Sequence, residues 1–243
     1  MNIMDRVDLT LLSADTTKEK MIDFVEKANK LKPYSICINN TWNVAVRKIL
    51  NDDIKICNVI DFPLGASSVR NKVAMIKNIK VADEIDYVVN IGAVLSNDFD
   101  YIYKEAKIIS DTCKLKGLVS KAIIETCYLG SIQIVEVSKM ISKAGIDYVK
   151  TSTGMAKGGA TIEDVKLISM SIIGSLTKIK ASGGIKTFKQ AEEFLKWCDR
   201  IGTSGLRNND DFSDCVLILD GEVYGIGNKQ MEEEIIYSMD NGY

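Results

Sequence analysis

Two lysines stand inside short apolar runs of the sequence, where a charged side chain is expensive to bury. Lys150 lies in DYVKTS and Lys180 in TKIKAS. On neighbouring strands, mutual repulsion would lower the pKa of one lysine from about 10.4 toward about 7 and yield a neutral amine. Such an amine attacks carbonyls to form a Schiff base, whose iminium is an electron sink for C–C bond cleavage or formation. The spacing alone allows an alternative: Lys150 and Lys180 could both extend to solvent and form salt bridges, with no role in chemistry.

The residue types that are missing restrict the chemistry further. The chain has no histidine, which excludes Ser-His-Asp and Cys-His catalytic arrangements. Its six cysteines are far apart and form no CxxC pair, so we do not expect a zinc site. Most of them are interpreted as small apolar residues in a reducing compartment. Acid-base chemistry must then come from Asp, Glu, Lys, Tyr or water.

Eight short β-branched runs alternate with helix-like segments along the chain. Segments such as TTKEKMIDFVEKANKL and TIEDVKLISMSI space apolar residues three and four apart and open on Thr, as N-capped amphipathic helices do. Eight strand-helix units of about thirty residues predict an α/β protein, a single (β/α)8 TIM barrel, rather than an open sheet. The runs begin at Val7, Tyr34, Lys55, Glu84, Lys121, Asp147, Thr177 and Asp199.

The chain from about residue 206 onward departs from this alternation. CVLILDGEVYGI predicts a hairpin around Asp220-Gly221, and QMEEEIIYSM predicts a last helix. No linker that would separate domains is visible in the sequence. We therefore expect one barrel domain over residues 1–243 with an atypical C-terminal tail.

Two carboxylates lie late in predicted strands, where a barrel places its active site. Asp86 lies in EIDYVVN and Glu125 in KAIIET. Asp86 is a candidate for proton transfer, with a buried structural ion pair to a strand lysine as the alternative. Glu125 is expected to be a structural partner of the lysines.

Glycine-bearing turns follow the last three predicted strands. They read TSTGMAKGGAT after Lys150, ASGGIKT after Lys180 and GTSGL after the eighth run. Loops after strands seven and eight commonly form the phosphate site of a TIM barrel, because glycines expose backbone N–H groups there. The loops predict a phosphorylated substrate, although glycine is also ordinary in any strand-to-helix turn.

Composition and charge favour a globular protein that acts on small molecules. The 243 residues are 46% hydrophobic and 26% charged, with a formal net charge of -2. No basic block could follow a nucleic-acid backbone, and no run of about 18 apolar residues could cross a membrane. The charged start MNIMDRVDLT does not resemble a signal peptide. We expect a cytoplasmic protein with no nucleic-acid or membrane partner, and we leave a homo-oligomer open.

Six motifs, in order along residues 7 to 205, together resemble the deoxyribose-phosphate aldolase family. The pair VKTSTG and KASGG is the most specific part of the match, whereas IDFPLGA and RIGTS add support only in combination. The motifs are SICIN from Ser35, IDFPLGA from Ile60, EIDYVVN from Glu84, DYVKTSTG from Asp147, IKASGGIKT from Ile179 and RIGTS from Arg200.

The resemblance implies reversible cleavage of 2-deoxy-D-ribose 5-phosphate to D-glyceraldehyde 3-phosphate and acetaldehyde, without a cofactor or metal. It implies that Lys150 is the Schiff-base nucleophile, that Lys180 tunes it, and that Asp86 transfers protons through a water. Taken singly, each of these two residues has a structural alternative: Asp8 could form local hydrogen bonds, and Cys37 could be a packed small residue. The positions that match the family near the substrate or its phosphate are Asp8, Cys37, Thr153, Gly154, Gly183, Gly184 and Ser204.

Several positions depart from the family pattern. Leu9 stands where many members have a histidine, and Asn39-Asn40 stands where many have Asn-Pro. Met155 follows Gly154 where some members have a basic residue, so phosphate binding is expected to rely more on Lys186 and backbone donors. Some members use a C-terminal tyrosine as a proton relay, which makes Tyr243 a candidate, with a chance terminal tyrosine as the alternative.

Two other functions remain open at this point. One is another Schiff-base TIM-barrel lyase or transferase that acts on a different phosphorylated sugar, and a panel of substrates would separate it from the first. The other is a barrel that binds ligands without catalysis. The presence of Lys150, Lys180 and Asp86 together argues against the non-catalytic barrel.

Overall fold

The computed structural model describes residues 2–207, 216–219 and 222–225. Eight parallel strands close into a barrel, in which each strand pairs with the next and β8 pairs with β1. The predicted (β/α)8 TIM barrel is therefore confirmed, and each of the eight predicted runs contains residues of one strand. The strands are β1 Val7–Leu11, β2 Ser35–Ile38, β3 Lys55–Ile60, β4 Glu84–Val88, β5 Val119–Ile123, β6 Tyr148–Lys150, β7 Lys178–Ser182 and β8 Arg200–Thr203.

Helices join the strands, as the apolar spacing of the sequence predicts. Thr17 and Thr161 precede α1 and α7, and their side chains accept hydrogen bonds from the third backbone N–H of each helix, which confirms the predicted N-caps. The helices are α1 Lys18–Leu31, α2 Asn43–Val46, α3 Val69–Asn78, α4 Ile91–Leu95, α5 Phe99–Lys116, α6 Ser131–Lys143, α7 Ile162–Ser171 and α8 Phe188–Phe194, and 3-10 turns span Ile3–Arg6, Asn40–Trp42 and Thr126–Tyr128.

The main apolar core lies between the strands and the helices rather than inside the barrel. Outward-facing strand residues such as Ile56, Ile85 and Val149 are fully buried and belong to one large cluster with apolar helix residues. This layer has the composition expected of a parallel sheet that is covered by helices. It leaves the opposite face of each strand for the barrel interior.

The barrel interior is filled with ionisable side chains, where aliphatic layers are more usual. Side chains alternate along a strand, so the residues on either side of an apolar outward residue face inward. In β4, Glu84 and Asp86 flank Ile85, and both carboxylates are almost completely buried. These interior residues form the site described below.

The last two described segments form an antiparallel pair outside the barrel sheet. Val216–Leu219 (β9) pairs with Glu222–Gly225 (β10), which confirms the predicted hairpin around Asp220-Gly221. The predicted last helix, QMEEEIIYSM, lies outside the described residues. Among the helices of the described ranges, none has both the length and the apolar character that crossing a membrane requires.

Candidate active site

Asp86 on β4 is the centre of the charged interior and is fully buried. Its Oδ2 accepts hydrogen bonds from Lys150 Nζ and Lys180 Nζ, both at 2.8 Å. Its Oδ1 accepts hydrogen bonds from Lys121 Nζ at 2.8 Å and from the Cys57 thiol at 3.0 Å. Burial alone would raise the pKa of Asp86, but the three ammonium groups outweigh it and hold that pKa well below its usual range. Asp86 is therefore an ionised carboxylate in contact with three lysines.

Lys150 on β6 and Lys180 on β7 are direct neighbours in the sheet. Lys180 Nζ also forms an ion pair with Asp8 Oδ2 at 2.5 Å. Burial would lower the pKa of Lys180, but the carboxylates of Asp8 and Asp86 outweigh it and raise that pKa, so Lys180 stays an ammonium. Lys150 pairs only with Asp86 in the described part of the chain, and it shares the accepting oxygen with Lys180. The positive charge of Lys150 is consequently the less well compensated of the two.

Lys121 on β5 is a third buried lysine, which the sequence reasoning missed. Its Nζ lies 2.7 Å from Glu84 Oε2 and 3.2 Å from Cys57 Sγ, in addition to its bond with Asp86. Burial would lower the pKa of Lys121, but the acidic groups around it, Asp86 foremost, raise that pKa well above its usual range. The predicted run began at Lys121, but β5 begins at Val119, so Lys121 is a mid-strand residue on the same face as its register partner Asp86.

Arg200 forms a deeper polar layer that the sequence reasoning also missed. Its Nη1 lies 2.8 Å from both carboxylate oxygens of Glu84 and 3.3 Å from Asp8 Oδ1. Its Nη2 donates a hydrogen bond to the Tyr148 hydroxyl at 3.1 Å. Arg200 thus fixes the two carboxylates that in turn bind Lys121 and Lys180. The first residue of a strand gives little sequence signal, because such residues are often exposed.

The charges of these groups do not balance. With every group in its common ionic form there are four cations and three carboxylates. A surplus charge in a buried site costs free energy, which the loss of one proton removes. Lys150 has the fewest carboxylate contacts and is 3% exposed, against 0% for Lys121 and 1% for Lys180. Lys150 is therefore the lysine of this site with the fewest direct carboxylate contacts and the greatest exposure. We call this set the interior ion cluster: Asp8, Glu84, Asp86, Lys121, Lys150, Lys180 and Arg200.

Cys37 lies beside this cluster on β2, and its role near the substrate stays a prediction. One ligand atom each from Cys37, Cys57 and Asp86 lies within 4.8 Å of the others, close enough to hold a metal ion. The ammonium groups that already bind Asp86 would face such an ion at short range, and this repulsion disfavours it. The donor set therefore does not fit a resident metal.

Three loops meet at the carboxyl ends of β6, β7 and β8. A Cβ added to Gly154 would lie 4.0 Å from Gly183 Cα, and the Thr203 hydroxyl donates to the Ile185 carbonyl at 2.7 Å. Gly183 and Gly184 have φ values of 85° and 79°, which favour glycine, and Gly184 is exposed. We call these loops the glycine rim, and they carry the predicted residues Thr153, Gly154, Gly183, Gly184, Lys186 and Ser204.

Glu125 holds the first of these loops rather than a lysine. Both of its carboxylate oxygens accept a hydrogen bond from the Thr153 backbone N–H at 3.2 Å, and the Thr153 hydroxyl also donates to one of them. Within residues 2–207 Glu125 forms no close ion pair with a lysine, but it interacts with Lys150 at longer range: burial raises the pKa of Glu125, and the bonds from Thr153 and the charge of Lys150 oppose that rise. Tyr243 lies outside the described residues, and its role stays a prediction.

Known proteins resemble this chain over the whole barrel. Residues 3–206 match the model of the DeoC/LacD family aldolases. Deoxyribose-phosphate aldolase of Bacillus cytotoxicus is 39% identical over 208 residues, which are 84% of this chain and 92% of the relative. The solved structure of the aldolase QR15 is 33% identical, with a TM-score of 0.78, and covers 84% of this chain and 92% of its own.

A second solved structure, described as a unique tetrameric deoxyribose phosphate aldolase from Aeropyrum pernix, is 28% identical. Its TM-score is 0.75, with 83% of this chain and 86% of that chain covered. The match to the family model extends from the turn before β1 to the loop after β8, so it includes every strand that carries the interior ion cluster. The chain belongs to the DeoC/LacD family of aldolases.

Proposed function

We propose that the chain is a class I aldolase that reversibly cleaves 2-deoxy-D-ribose 5-phosphate to D-glyceraldehyde 3-phosphate and acetaldehyde. The family and the names of the relatives support this substrate. The observation that carries the mechanism is the position of Lys150 Nζ, 2.8 Å from an ionised carboxylate in a buried cluster with one cation in surplus. A buried lysine with a carboxylate beside it that can accept and return protons is what Schiff-base chemistry on a carbonyl requires.

Lys150 is the nucleophile in this proposal. Its neutral amine attacks C1 of the open-chain sugar, and loss of water gives an iminium. The C3 hydroxyl then loses its proton, the C2–C3 bond breaks, and its electron pair moves toward the iminium nitrogen. D-glyceraldehyde 3-phosphate leaves and an enamine stays on Lys150. Protonation of C2 and hydrolysis of the new iminium release acetaldehyde and restore the amine.

Asp86 serves as counter-ion and proton carrier. Its Oδ2 lies beside Lys150 Nζ, where the iminium charge appears, so an ionised Asp86 stabilises that charge without rearrangement. It also accepts and returns protons through a water at the reacting carbons. Lys121 and Lys180, whose pKa values are raised, remain ammonium groups and keep Asp86 ionised and oriented.

The glycine rim is the proposed phosphate site. Gly183 and Gly184 lie at the mouth of the barrel with positive φ values, Gly184 is exposed, and Lys186 adds a positive side chain next to them, which is the kind of loop that binds phosphate through backbone N–H groups. Binding energy from the phosphate positions C1 near Lys150, so unphosphorylated deoxyribose should react with a far lower kcat/KM. Lys186→Met should reduce kcat/KM for the 5-phosphate only, with Lys189→Met on the exposed face of α8 as the matched control. Equal kcat/KM for deoxyribose and deoxyribose 5-phosphate would contradict a dedicated phosphate site.

Trapping the intermediate tests the central proposal directly. The protein is incubated with acetaldehyde, reduced with borohydride and digested, and the modified lysine is located by mass spectrometry. We expect the label on Lys150, together with release of D-glyceraldehyde 3-phosphate from deoxyribose 5-phosphate in a coupled assay. A label on another lysine contradicts the assignment. A label on Lys150 without cleavage of this sugar favours a Schiff-base lyase or transferase for a different phosphorylated sugar.

We also propose a cytoplasmic homo-oligomer. The tetrameric relative from Aeropyrum pernix supports self-association, and Met170, Ile173 and Leu176 expose apolar surface near the end of α7. Reducing conditions would keep the described cysteines as the free thiols seen in the structure. Light scattering tests the assembly: a monomer at working concentration contradicts it, and Leu176→Glu should weaken an oligomer that uses this patch.

A further inference from the structure

Two cysteine thiols face each other across neighbouring strands beneath Lys150. Cys37 on β2 and Cys57 on β3 are register partners in a parallel pair, so their side chains point to the same face of the sheet. Both residues are completely buried. The two sulfurs and one oxygen of Asp86 lie within 4.8 Å of one another. The other buried cysteines, Cys113 and Cys198, are outside this group.

The two thiols differ in their surroundings. Cys57 donates a hydrogen bond to Asp86 Oδ1 at 3.0 Å and accepts one from Lys121 Nζ at 3.2 Å. Burial raises the pKa of the Cys57 thiol well above its usual range. Hydrogen bonding from Cys57 lowers the pKa of Cys37, against the opposing effect of burial. Cys37 is thus the thiol that ionises more easily, and Cys57 lies in contact with it as the protonated partner.

We propose that Cys37 and Cys57 form a redox-sensitive dithiol, which a peroxide oxidises to a disulfide that reversibly stops the aldolase. The effect on catalysis rests on the proposed function, whereas disulfide formation does not. In the first step the Cys37 thiolate attacks hydrogen peroxide, the O–O bond breaks, and sulfenic acid and hydroxide form; the hydroxide takes up the proton that left the thiol and becomes one water. In the second step the Cys57 sulfur displaces hydroxide from Cys37, which gives the disulfide and a second water. Two thiols lose two electrons and the peroxide gains them.

The geometry permits this bond without large movement of the strands. Neighbouring strands are about 4.8 Å apart, and disulfide-bonded cysteines have Cα atoms about 4.4–6.8 Å apart. The disulfide would remove the thiol proton that Cys57 donates to Asp86 Oδ1. Loss of this bond alters the carboxylate on which the proposed proton transfers depend.

The test treats the full-length protein with hydrogen peroxide, alkylates the remaining thiols and maps the peptides by mass spectrometry. We expect a Cys37–Cys57 linked peptide that is two hydrogens lighter than the reduced pair. Aldolase activity should fall by about tenfold or more in proportion to this species, and dithiothreitol should restore it. Cys113→Ala, which removes a buried thiol outside the site, should respond as the parent protein does.

Cys57→Ala provides the decisive comparison, with activity measured relative to its own reduced form. This variant should form no linked peptide, and its Cys37 should instead stop at the sulfenic acid, which a dimedone probe labels and further peroxide oxidises to forms that dithiothreitol does not reduce. The proposal is overturned if Cys37 and Cys57 are both still alkylated when the parent loses activity, or if Cys57→Ala loses activity in peroxide while its Cys37 stays an unmodified thiol. Peptide mapping needs no substrate, so it tests disulfide formation separately from catalysis. If the protein forms the disulfide but does not cleave deoxyribose 5-phosphate, the proposed function is refuted and the proposed disulfide is supported.

Discussion

Two buried charge clusters of similar composition lie on opposite sides of β4. The interior ion cluster surrounds Asp86, whereas the outer ion cluster consists of Asp61, Lys72 and Glu105. In the outer cluster Lys72 Nζ lies 2.7 Å from Glu105 Oε1, 2.7 Å from the Val88 carbonyl and 3.5 Å from Asp61. Glu105 Oε2 accepts the Asn90 backbone N–H at 3.1 Å. These contacts fasten the chain just after β4 to α3 and α5.

The sign of the surplus charge separates the two clusters. The outer cluster has one cation for two carboxylates, and its lysine contacts both carboxylates and a carbonyl. These contacts hold Lys72 between α3, α5 and the end of β4. The interior ion cluster has four cations for three carboxylates, and Lys150 has a share of only one carboxylate oxygen. Burial of a lysine is therefore insufficient for reactivity, and a deficit of nearby negative charge is also needed.

Lys150→Arg should produce the largest functional effect. The guanidinium keeps the charge and most of the bulk, but it cannot form an imine at neutral pH, so turnover should fall to background. Circular dichroism and thermal unfolding should show that the barrel persists. Measurable turnover, with the borohydride label on Lys121 or Lys180 instead, would contradict the proposal that Lys150 is the nucleophile.

Lys72→Met should affect stability instead of chemistry. Removing the cation leaves Glu105 buried without its partner, and breaking such a pair costs about 3–5 kcal/mol of unfolding free energy. Lys107→Met, which removes an exposed pair with Asp111 on α5, should cost about 0.5 kcal/mol or less and serves as the control. Urea unfolding measures the loss of stability, and acetaldehyde trapping measures whether Lys150 still forms the imine. Loss of the Lys150 label in folded Lys72→Met protein would show that the outer cluster has a chemical role.

Lys180→Leu should shift activity to higher pH. Lys180 repels a proton on Lys150 and neutralises Asp8 and Asp86, so its removal leaves the site more negative and favours the protonated amine. The pH at which kcat/KM reaches half its maximum should rise, and imine trapping at neutral pH should slow. A pH profile that matches the parent protein would mean that Lys180 does not tune Lys150.

The two clusters should also give stability opposite dependences on pH. The pKa of Asp86 is lowered, so its contribution is present above about pH 3.9, the value in an unfolded chain, and is lost as pH falls through the folded value. The pKa of Glu105 is raised, chiefly by burial, so its contribution is complete below about pH 4.3 and is lost as pH rises through the folded value. Melting curves of Asp86→Asn and Glu105→Gln against the parent measure both slopes. Slopes of the same sign would contradict these assignments.

Tyr243→Phe should have the smallest effect. If the terminal phenol relays protons to the enamine carbon, turnover should fall while trapping on Lys150 changes little. Removal of the last few residues should then act in the same direction. Full turnover after that truncation would assign all proton transfer to the interior ion cluster.

The sequence predicts the barrel because strand and helix periodicities alternate clearly and each element has local cues. It also predicts Lys150 and Lys180 as neighbours, because consecutive strands of a parallel barrel are adjacent. Lys121 was missed because the predicted run began at that residue, whereas β5 begins at Val119. Arg200 was missed for a different reason, because its partners Asp8 and Glu84 lie on strands far away in sequence and its contact with Asp8 depends on how the sheet closes, from β8 back to β1. The carboxylates that these contacts add also show why repulsion between two lysines is an incomplete account of the site.

The charged interior has a consequence for how the eight strands find their alignment during folding. Because side chains alternate, a slip of one residue would turn Asp86 toward the helices and bring Ile85 or Tyr87 inside. Such a slip would place an unpaired carboxylate in the apolar layer and leave three lysines without their common partner. Misaligned barrels are thus penalised at every strand that carries an interior charge, and the residues proposed for catalysis also specify the register of the fold.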